Sequence, residues 1–310
     1  MMDPQRLGLV SPRIHYFQLV ARLGSIRAAA RTLNVAPSSI SRVLTQLEEE
    51  LGTPLFERAR QRLKLTSAGE LLLYRAKASV SELGRAVTEL GELRGLRRGS
   101  FGIAIVESVA RGLMPAVLAD FWQRYPEIEV DIRIADSQAA FNAVADGDCE
   151  IGVAFDVRAP RTAQRLTGVE LGVGALVRPD HRLAGQKTLR LYELAGERVI
   201  LSDRSLTLGL SMEEALEGSV TGFMKRTRTN SIELMVELAT RGLGVALQTR
   251  VGVEREIARG ELVFVPVRDP KLRPRKLMLI TRPKGEISEA ASVLATMLVK
   301  VIEAIATEAK

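Results

Sequence analysis

Cysteine, histidine and long apolar runs are scarce in this chain, and each scarcity removes a class of function. Cys149 is the only cysteine among 310 residues, so no intramolecular disulfide can form. It sits in Asp146-Gly147-Asp148-Cys149-Glu150, just ahead of an apolar run, and reads as a small buried filler. The two histidines, His15 and His181, stand apart from each other and from any clustered ligands, so no metal site is expected. No glycine-rich phosphate loop followed by Lys-Ser/Thr occurs, and no nucleophile elbow. No cofactor is therefore expected, nor an enzyme. No stretch approaches the roughly 18 uninterrupted apolar residues of a membrane span. Met1 to Val10 carries Asp3, Pro4 and Arg6 with no apolar core. A secretory signal is not expected there, and a cytoplasmic location is.

What the chain does have is a charge excess in one place. The net charge is +7. Residues 1–98 hold 16 Lys+Arg against 9 Asp+Glu, while residues 99–310 hold 28 of each. The entire excess lies in the first third. A basic segment joined to a neutral body points to a polyanion-binding module beside a part with another task. At about 100–200 residues per domain, the length accommodates two or three domains.

The basic third reads as helices. Ser11-Pro12 is an N-cap followed by proline at the first helical position. Ile14, Phe17, Leu19, Val20 and Leu23 then recur at helical spacing up to Gly24. Ser25 caps a second helix through Ala28-Ala29-Ala30 and Leu33. Asn34-Val35-Ala36 turns, and Pro37 opens a third helix with Ile40, Val43, Leu44, Leu47 and Leu51 on its inner face, closed by Gly52. Two short helices joined by a tight turn, the first alanine-rich for close approach, make a helix-turn-helix. The polar positions of the third helix are Ser38, Ser39, Ser41, Arg42, Thr45 and Gln46. Small hydroxyls and an arginine at the start of a helix suit phosphates and major-groove base edges. Ser25 and Arg31 on the preceding helix join this set. Beyond it, Arg58, Arg60, Arg62 and Lys64 crowd a hairpin-like stretch, the composition of a wing that tracks phosphates or the minor groove.

Thr66 caps a long helix spanning about 67–94. Leu73, Val80 and Val87 interleave with Ala76, Leu83 and Leu90 at alternating spacings of three and four, an a/d seam. A seam this long calls for a partner: its copy in a second subunit is the obvious one, and the C-terminal domain of its own chain is the alternative. Gly91, Gly95 and Gly99, with Arg94, Arg97 and Arg98 among them, form a basic hinge.

This constellation resembles the LysR-type transcriptional regulators. Phe17 and Val20, Gly24-Ser25, Ala28-Ala29-Ala30, Leu33-Asn34-Val35 and Ser38 to Ser41 carry the likeness. So do Leu47-Glu48-Glu49-Glu50-Leu51-Gly52, Thr53-Pro54-Leu55-Phe56-Glu57-Arg58, Leu65-Thr66 and Ala68-Gly69. Chain length and linker helix fit as well. The family often has Ser-Gln where this chain has Ala36-Pro37, so either base reading shifts toward Ser38, Ser39 and Arg42 or the operator differs at that position, and no base assignment carries over to Pro37.

The remaining residues alternate strand and helix patterns. Apolar strands are expected at 101–106, 128–134 and 150–155, with helices between them, and this order argues a parallel sheet. Further strands are expected at 171–177, 198–201, 243–247, 262–265 and 276–281. The resemblance implies a periplasmic-binding-protein-like, bilobed α/β domain with a small-molecule effector between the lobes. The expected division is a winged helix-turn-helix over 1–66, a linker and dimerisation helix over 67–98, and an effector domain over 99–310. Within the last, lobe I takes 99–160 and 269–310, and lobe II takes 161–268.

Ligands of open α/β sheets sit beyond the carboxyl ends of strands, often at helix N-termini. That rule singles out Glu107, Ser108, Phe155, Asp156, Ser202, Asp203, Thr229, Asn230 and Gln248 as candidate effector contacts. Ser108, Ser202 and the 229–231 group match positions where family members touch effectors. Three carboxylates near one mouth would favour an effector with a cationic or hydroxyl-rich part. The resemblance further implies a homotetramer built from two dimers on double-stranded DNA, acting on RNA polymerase. Two other readings remain at this stage. One is a solute-binding protein whose basic segment serves dimerisation only. The other is an α/β enzyme without a visible catalytic constellation.

Overall fold

The computed structural model describes residues 7–59, 62–93, 99–216, 224–283 and 285–308. The chain divides into two compact units, the first running to Ser100 and including Asp146–Asp148, the second taking Phe101–Ala145 and the residues from Cys149 on. The first opens with α1 (Pro12–Leu23), α2 (Ile26–Leu33) and α3 (Pro37–Leu51), followed by β1 (Phe56–Ala59), β2 (Arg62–Leu65) and the long α4 (Ser67–Leu93). Local chemistry sets the breaks. Ser11 Oγ accepts from the Arg13 amide and Ser25 Oγ from the Ala28 amide, satisfying N–H groups that the first helical turn leaves without partners. Gly24 and Asn34 end their helices in the left-handed region, at φ 64° and 53°. Phe17, Val20, Ala29, Ala30, Ile40, Leu44 and Leu55 pack into one core.

The hairpin of β1 and β2 is tied to this bundle twice. Glu48 of α3 accepts from the amides of Leu55 and Phe56, at 2.6 and 3.1 Å. The Leu63 amide donates to the Gly24 carbonyl, at 3.0 Å, so the wing is anchored at the α1–α2 turn. Thr66 Oγ1 accepts from the Gly69 amide and starts α4.

The second unit holds two five-stranded sheets. The chain runs β3 (Gly99–Ile105), α5 (Glu107–Gly112), α6 (Met114–Arg124), β4 (Ile128–Ile134), α7 (Ser137–Ala145), β5 (Ile151–Phe155) and β6 (Gln164–Leu171). It then crosses to the second lobe with β7 (Val173–Val177), a 3-10 turn (Leu191–Leu194), β8 (Arg198–Ser202), α8 (Thr207–Leu216) and β9 (Met224–Thr229). That lobe continues with α9 (Ile232–Thr240), β10 (Val245–Thr249), α10 (Glu254–Ala258) and β11 (Val263–Pro266). The chain returns with β12 (Arg275–Thr281) and α11 (Glu289–Glu308). The first sheet has the order β4-β3-β5-β12-β6 and the second β11-β7-β10-β8-β9. β3 and β5 are parallel, as are β8, β9 and β10.

The sheet order corrects the expected lobe boundary. β6 pairs antiparallel with β12 in the first sheet, so residues 164–171 belong to lobe I and the first crossing falls at Gly172. β6 is an edge strand, and its exposed Gln164, Arg165 and Leu166 carry little of the alternation that marks a strand. The single helix expected from Ser108 through Phe121 is two, broken at Leu113, where Pro115 has no N–H to continue the helical hydrogen bonds. Gln248 lies within β10 rather than after it. Each lobe is buried on its own terms. Cys149 lies in the first lobe's core with Phe101, Phe121, Phe141 and Leu298. In the second lobe, alternate residues of β8 and β10 enter opposite clusters, Val199 and Leu247 on one side and Ile200 and Ala246 on the other.

Candidate functional site

The first unit presents one polar face. Ser38, Ser39, Ser41, Arg42, Thr45 and Gln46 are all exposed on α3, while Ile40, Leu44 and Leu47 are buried. Helical spacing separates the two sets, so burying the apolar stripe turns the hydroxyls and Arg42 outward. Arg31 of α2 is exposed, and Ser25 is spent in part as the cap of that helix. Arg62 and Lys64 are exposed on β2. The side chain of Arg58 and all of Arg60 lie outside the described residues. α3 begins at Pro37, which has no N–H to leave unpaired, with no side-chain cap from Ala36; the Ser39 amide donates to the Ala36 carbonyl at 3.0 Å.

On α4 the proposed seam is partly covered. Leu73 packs against the core of the first unit, Ala76 is buried, and Val80, Leu83 and Val87 are half-buried. The side chain of Leu90 lies outside the described residues.

In the second unit the candidate residues lie at or just beyond the carboxyl ends of parallel strands. In lobe I these are Glu107, Ser108, Phe155 and Asp156, and in lobe II Ser202, Asp203, Thr229, Asn230 and Gln248, with Thr249 beside it. Glu107 and Ser108 reach lobe II, at Ser231, Ile232 and Glu233 and at Gly252. Glu107 Oε2 accepts from the Ile232 amide at 2.9 Å, and its Oε1 accepts from the Glu233 amide at 3.0 Å and from Ser231 Oγ at 3.3 Å. A lobe I carboxylate thus caps a lobe II helix. Ser202 and Gln248 are buried together, each donating to the Met235 sulfur, at 3.7 and 3.8 Å. Thioether sulfur is a weak acceptor. Thr249 Oγ1 is buried without a hydrogen-bond partner.

The three carboxylates do not form an open acidic mouth. Asp156, at φ 51°, binds the Lys276 amide at 2.8 Å and the buried Arg275 guanidinium at 2.6 Å. Burial pushes the Arg275 pKa down, and Asp156 opposes that shift. Asp203 accepts from the amide and hydroxyl of Ser205, closing the turn into α8. Glu107 is engaged as above. The premise for a cationic effector therefore falls away. Ser108 is buried against Gly252 of lobe II, where a Cβ would stand 2.8 Å from Ser108 Cα. Phe155 is buried, its amide donating to Ser137 Oγ. Thr229 Oγ1 accepts from the Ser231 amide, and Asn230 is exposed.

Three participants carried no local signal in the sequence. Arg111 joins α5 to Glu233 at 2.5 Å, to Glu256 at 2.9 Å and to the Gly252 carbonyl. Arg275 and Met235 acquire their parts only because the strands assemble in this order.

Comparison with known proteins agrees with this geometry along the chain. Residues 12–70 match the model described as bacterial regulatory helix-turn-helix protein, lysR family. Residues 94–303 match the LysR substrate binding domain. The chain is 30% identical over 283 residues to a probable nitrogen assimilation transcriptional activator of Synechococcus elongatus, covering 87% of each. It is 28% identical over 284 residues to the transcriptional dual regulator GltC of Bacillus subtilis, covering 90% of this chain and 93% of that one. Among solved structures, a full-length OxyR variant from Pseudomonas aeruginosa shares the fold at a TM-score of 0.65 and 18% identity, covering 92% of this chain and 93% of that one. HinK from the same organism does so at 0.53 and 24% identity, covering 94% and 97%.

Proposed function

The chain belongs to the LysR family of transcriptional regulators, and on that premise we propose how its parts divide the work. As in the family, a helix-turn-helix serves DNA and a substrate-binding domain serves a small molecule, so the chain is a regulator and not an enzyme. Residues 1–66 are the reading head. Ser38, Ser39, Ser41, Arg42, Thr45 and Gln46 enter the major groove. Arg31, Arg58, Arg60, Arg62 and Lys64 hold phosphates, and Ser25 stands beside them. The observation that carries this is the exposed hydroxyl-and-arginine face of α3, flanked by a cationic wing anchored at Gly24.

Residues 67–98 pair two chains through α4, placing two heads on successive turns of a near-palindromic site. Two dimers then form a tetramer. Exposed Ile132 and Ile134 on β4, an edge strand of the first sheet, support a further contact between copies. The effector binds between the lobes, near Ser202, Gln248 and the start of α9, and biases an equilibrium of tetramer shapes read by RNA polymerase. Among the described residues no helix is long and apolar enough to cross a membrane, and a cytoplasmic site of action follows from the work proposed.

Binding to DNA from upstream of its own gene, measured across a salt series, tests this reading. Affinity is expected to fall steeply and log-linearly as salt rises, because each phosphate contact releases counterions. Salt-independent binding, or equal retention of unrelated DNA, would reject it.

A further inference from the structure

We propose that Glu107 is a tethered anion that latches the two lobes, standing in for the acidic group of an effector that must displace it. The proposal rests on the reading of the cleft as the effector site.

The first turn of a helix leaves amide donors without intrahelical acceptors, and its dipole places positive potential there. At α9 those donors are not open. Ser231 Oγ serves the Leu234 amide from within. The Ile232 and Glu233 amides and the Ser231 hydroxyl go to one carboxylate, and that carboxylate comes from α5 of the other lobe, 124 to 126 residues away. Hydrogen bonds to an ionised acceptor are about twice as strong as neutral ones.

The same face of contact is clamped a second time. Arg111, one turn along α5, reaches Glu233 of α9 and both Glu256 and the Gly252 carbonyl around α10. Glu256 is itself buried. Between the two clamps Gly252, at φ +94°, lets the lobe II backbone close on Ser108, and no residue with a Cβ fits that approach. Three separate contacts therefore join α5 to lobe II, and the covalent connections between lobes are only the two crossings.

A molecule that brings a carboxylate to α9 offers the donors what Glu107 already gives them. It binds only by replacing Glu107. That exchange frees one end of α5 while Arg111 stays engaged, so effector binding is converted into movement of α5 against α9. The buried hydroxyl of Ser202 and amide of Gln248 donate to the sulfur of Met235, one turn along the same helix, and the Gln248 side-chain oxygen accepts from the Thr249 amide.

Hydrogen exchange of the full chain, followed at the Ile232 and Glu233 amides without DNA or effector, tests the latch. Glu107→Ala is expected to speed exchange there by at least about tenfold, the effect of losing one charge-assisted hydrogen bond. Sodium acetate, a carboxylate free to enter the vacated seat, is expected to restore slow exchange in that variant but not to alter the wild type. Sodium chloride at equal ionic strength is expected to do neither. Should the alanine variant fail to fold, Glu107→Gln keeps the length, loses the charge and gives the same reading with a smaller change. Unchanged exchange at these amides in the folded variant, or acetate no better than chloride, overturns the latch. Acetate rescue alongside a wild-type chain that binds no organic acid in calorimetry would instead refute the effector half of the proposal and leave the latch standing.

Discussion

Asp156 looks from its position like a ligand at a cleft mouth and is in fact the counter-charge of a buried arginine. Arg275 gives Nη2 to Asp156, and its Nε has no partner. Removing Asp156 strands a buried cation, which costs about 3–5 kcal/mol. Asp156→Ala is therefore expected to lower the melting temperature by roughly 10 °C in calorimetry, and Asp156→Asn by less, since the amide oxygen still accepts from Lys276. Glu254 behaves in the opposite sense. Burial against Gly112 and Gly252 pushes its pKa up, although the Gly252 amide donates to it. A raised carboxyl pKa means the folded chain holds the proton more tightly than the unfolded chain. Its contribution is full below the ordinary carboxylate range and is lost as pH rises through the folded value. Glu254→Gln, which keeps the acceptor without the charge, should melt at or slightly above the wild type at pH 8. The difference should vanish near pH 4, in a thermal series across pH.

At the scale of elements, α3 is the part whose task follows from its pattern. The positions that carry hydroxyls and Arg42 are those left outside when Ile40, Leu44 and Leu47 are buried. Arg42→Ala is expected to weaken operator binding by at least tenfold, about 1–3 kcal/mol for a bidentate base contact, while the thermal transition of the second unit stays in place. Unchanged footprinting would reject the assignment. Helix boundaries in the first unit were legible because they depend on neighbours in the chain: Ser11 and Ser25 cap, Gly24 and Asn34 turn. β6 and β9 were not. Met224–Thr229 is mostly exposed and highly charged, with no apolar alternation, and is a strand because β8 offers it a parallel partner.

At the scale of the whole molecule, the division of labour follows the charge. The basic third carries the helix-turn-helix, and the neutral remainder carries two five-stranded sheets. The link between them is α4, whose spacing of Ala76, Val80, Leu83 and Val87 calls for a partner helix. Leu83→Glu is expected to convert dimers to monomers in sedimentation, since a charge on an a/d seam lacks compensation. A dimer that survives this change places the pairing elsewhere. Leu73 already packs on its own head, so the seam is expected to begin beyond it.

Sequence alone determined the helix-turn-helix, the basic wing, the long helix and the α/β character of the body, because caps, glycine turns and apolar periods act over a few residues. It also singled out residues at strand ends as candidate contacts, which needs only the rule that ligands of α/β sheets sit beyond the carboxyl ends of strands. The tertiary structure decided what each cleft residue does. Glu107, Asp156 and Asp203 are alike as letters, yet one caps a helix across the lobes, one neutralises a buried arginine and one closes its own turn. The difference lies in partners that stand, for the first two, more than a hundred residues away, and only the strand order brings them within hydrogen-bonding distance.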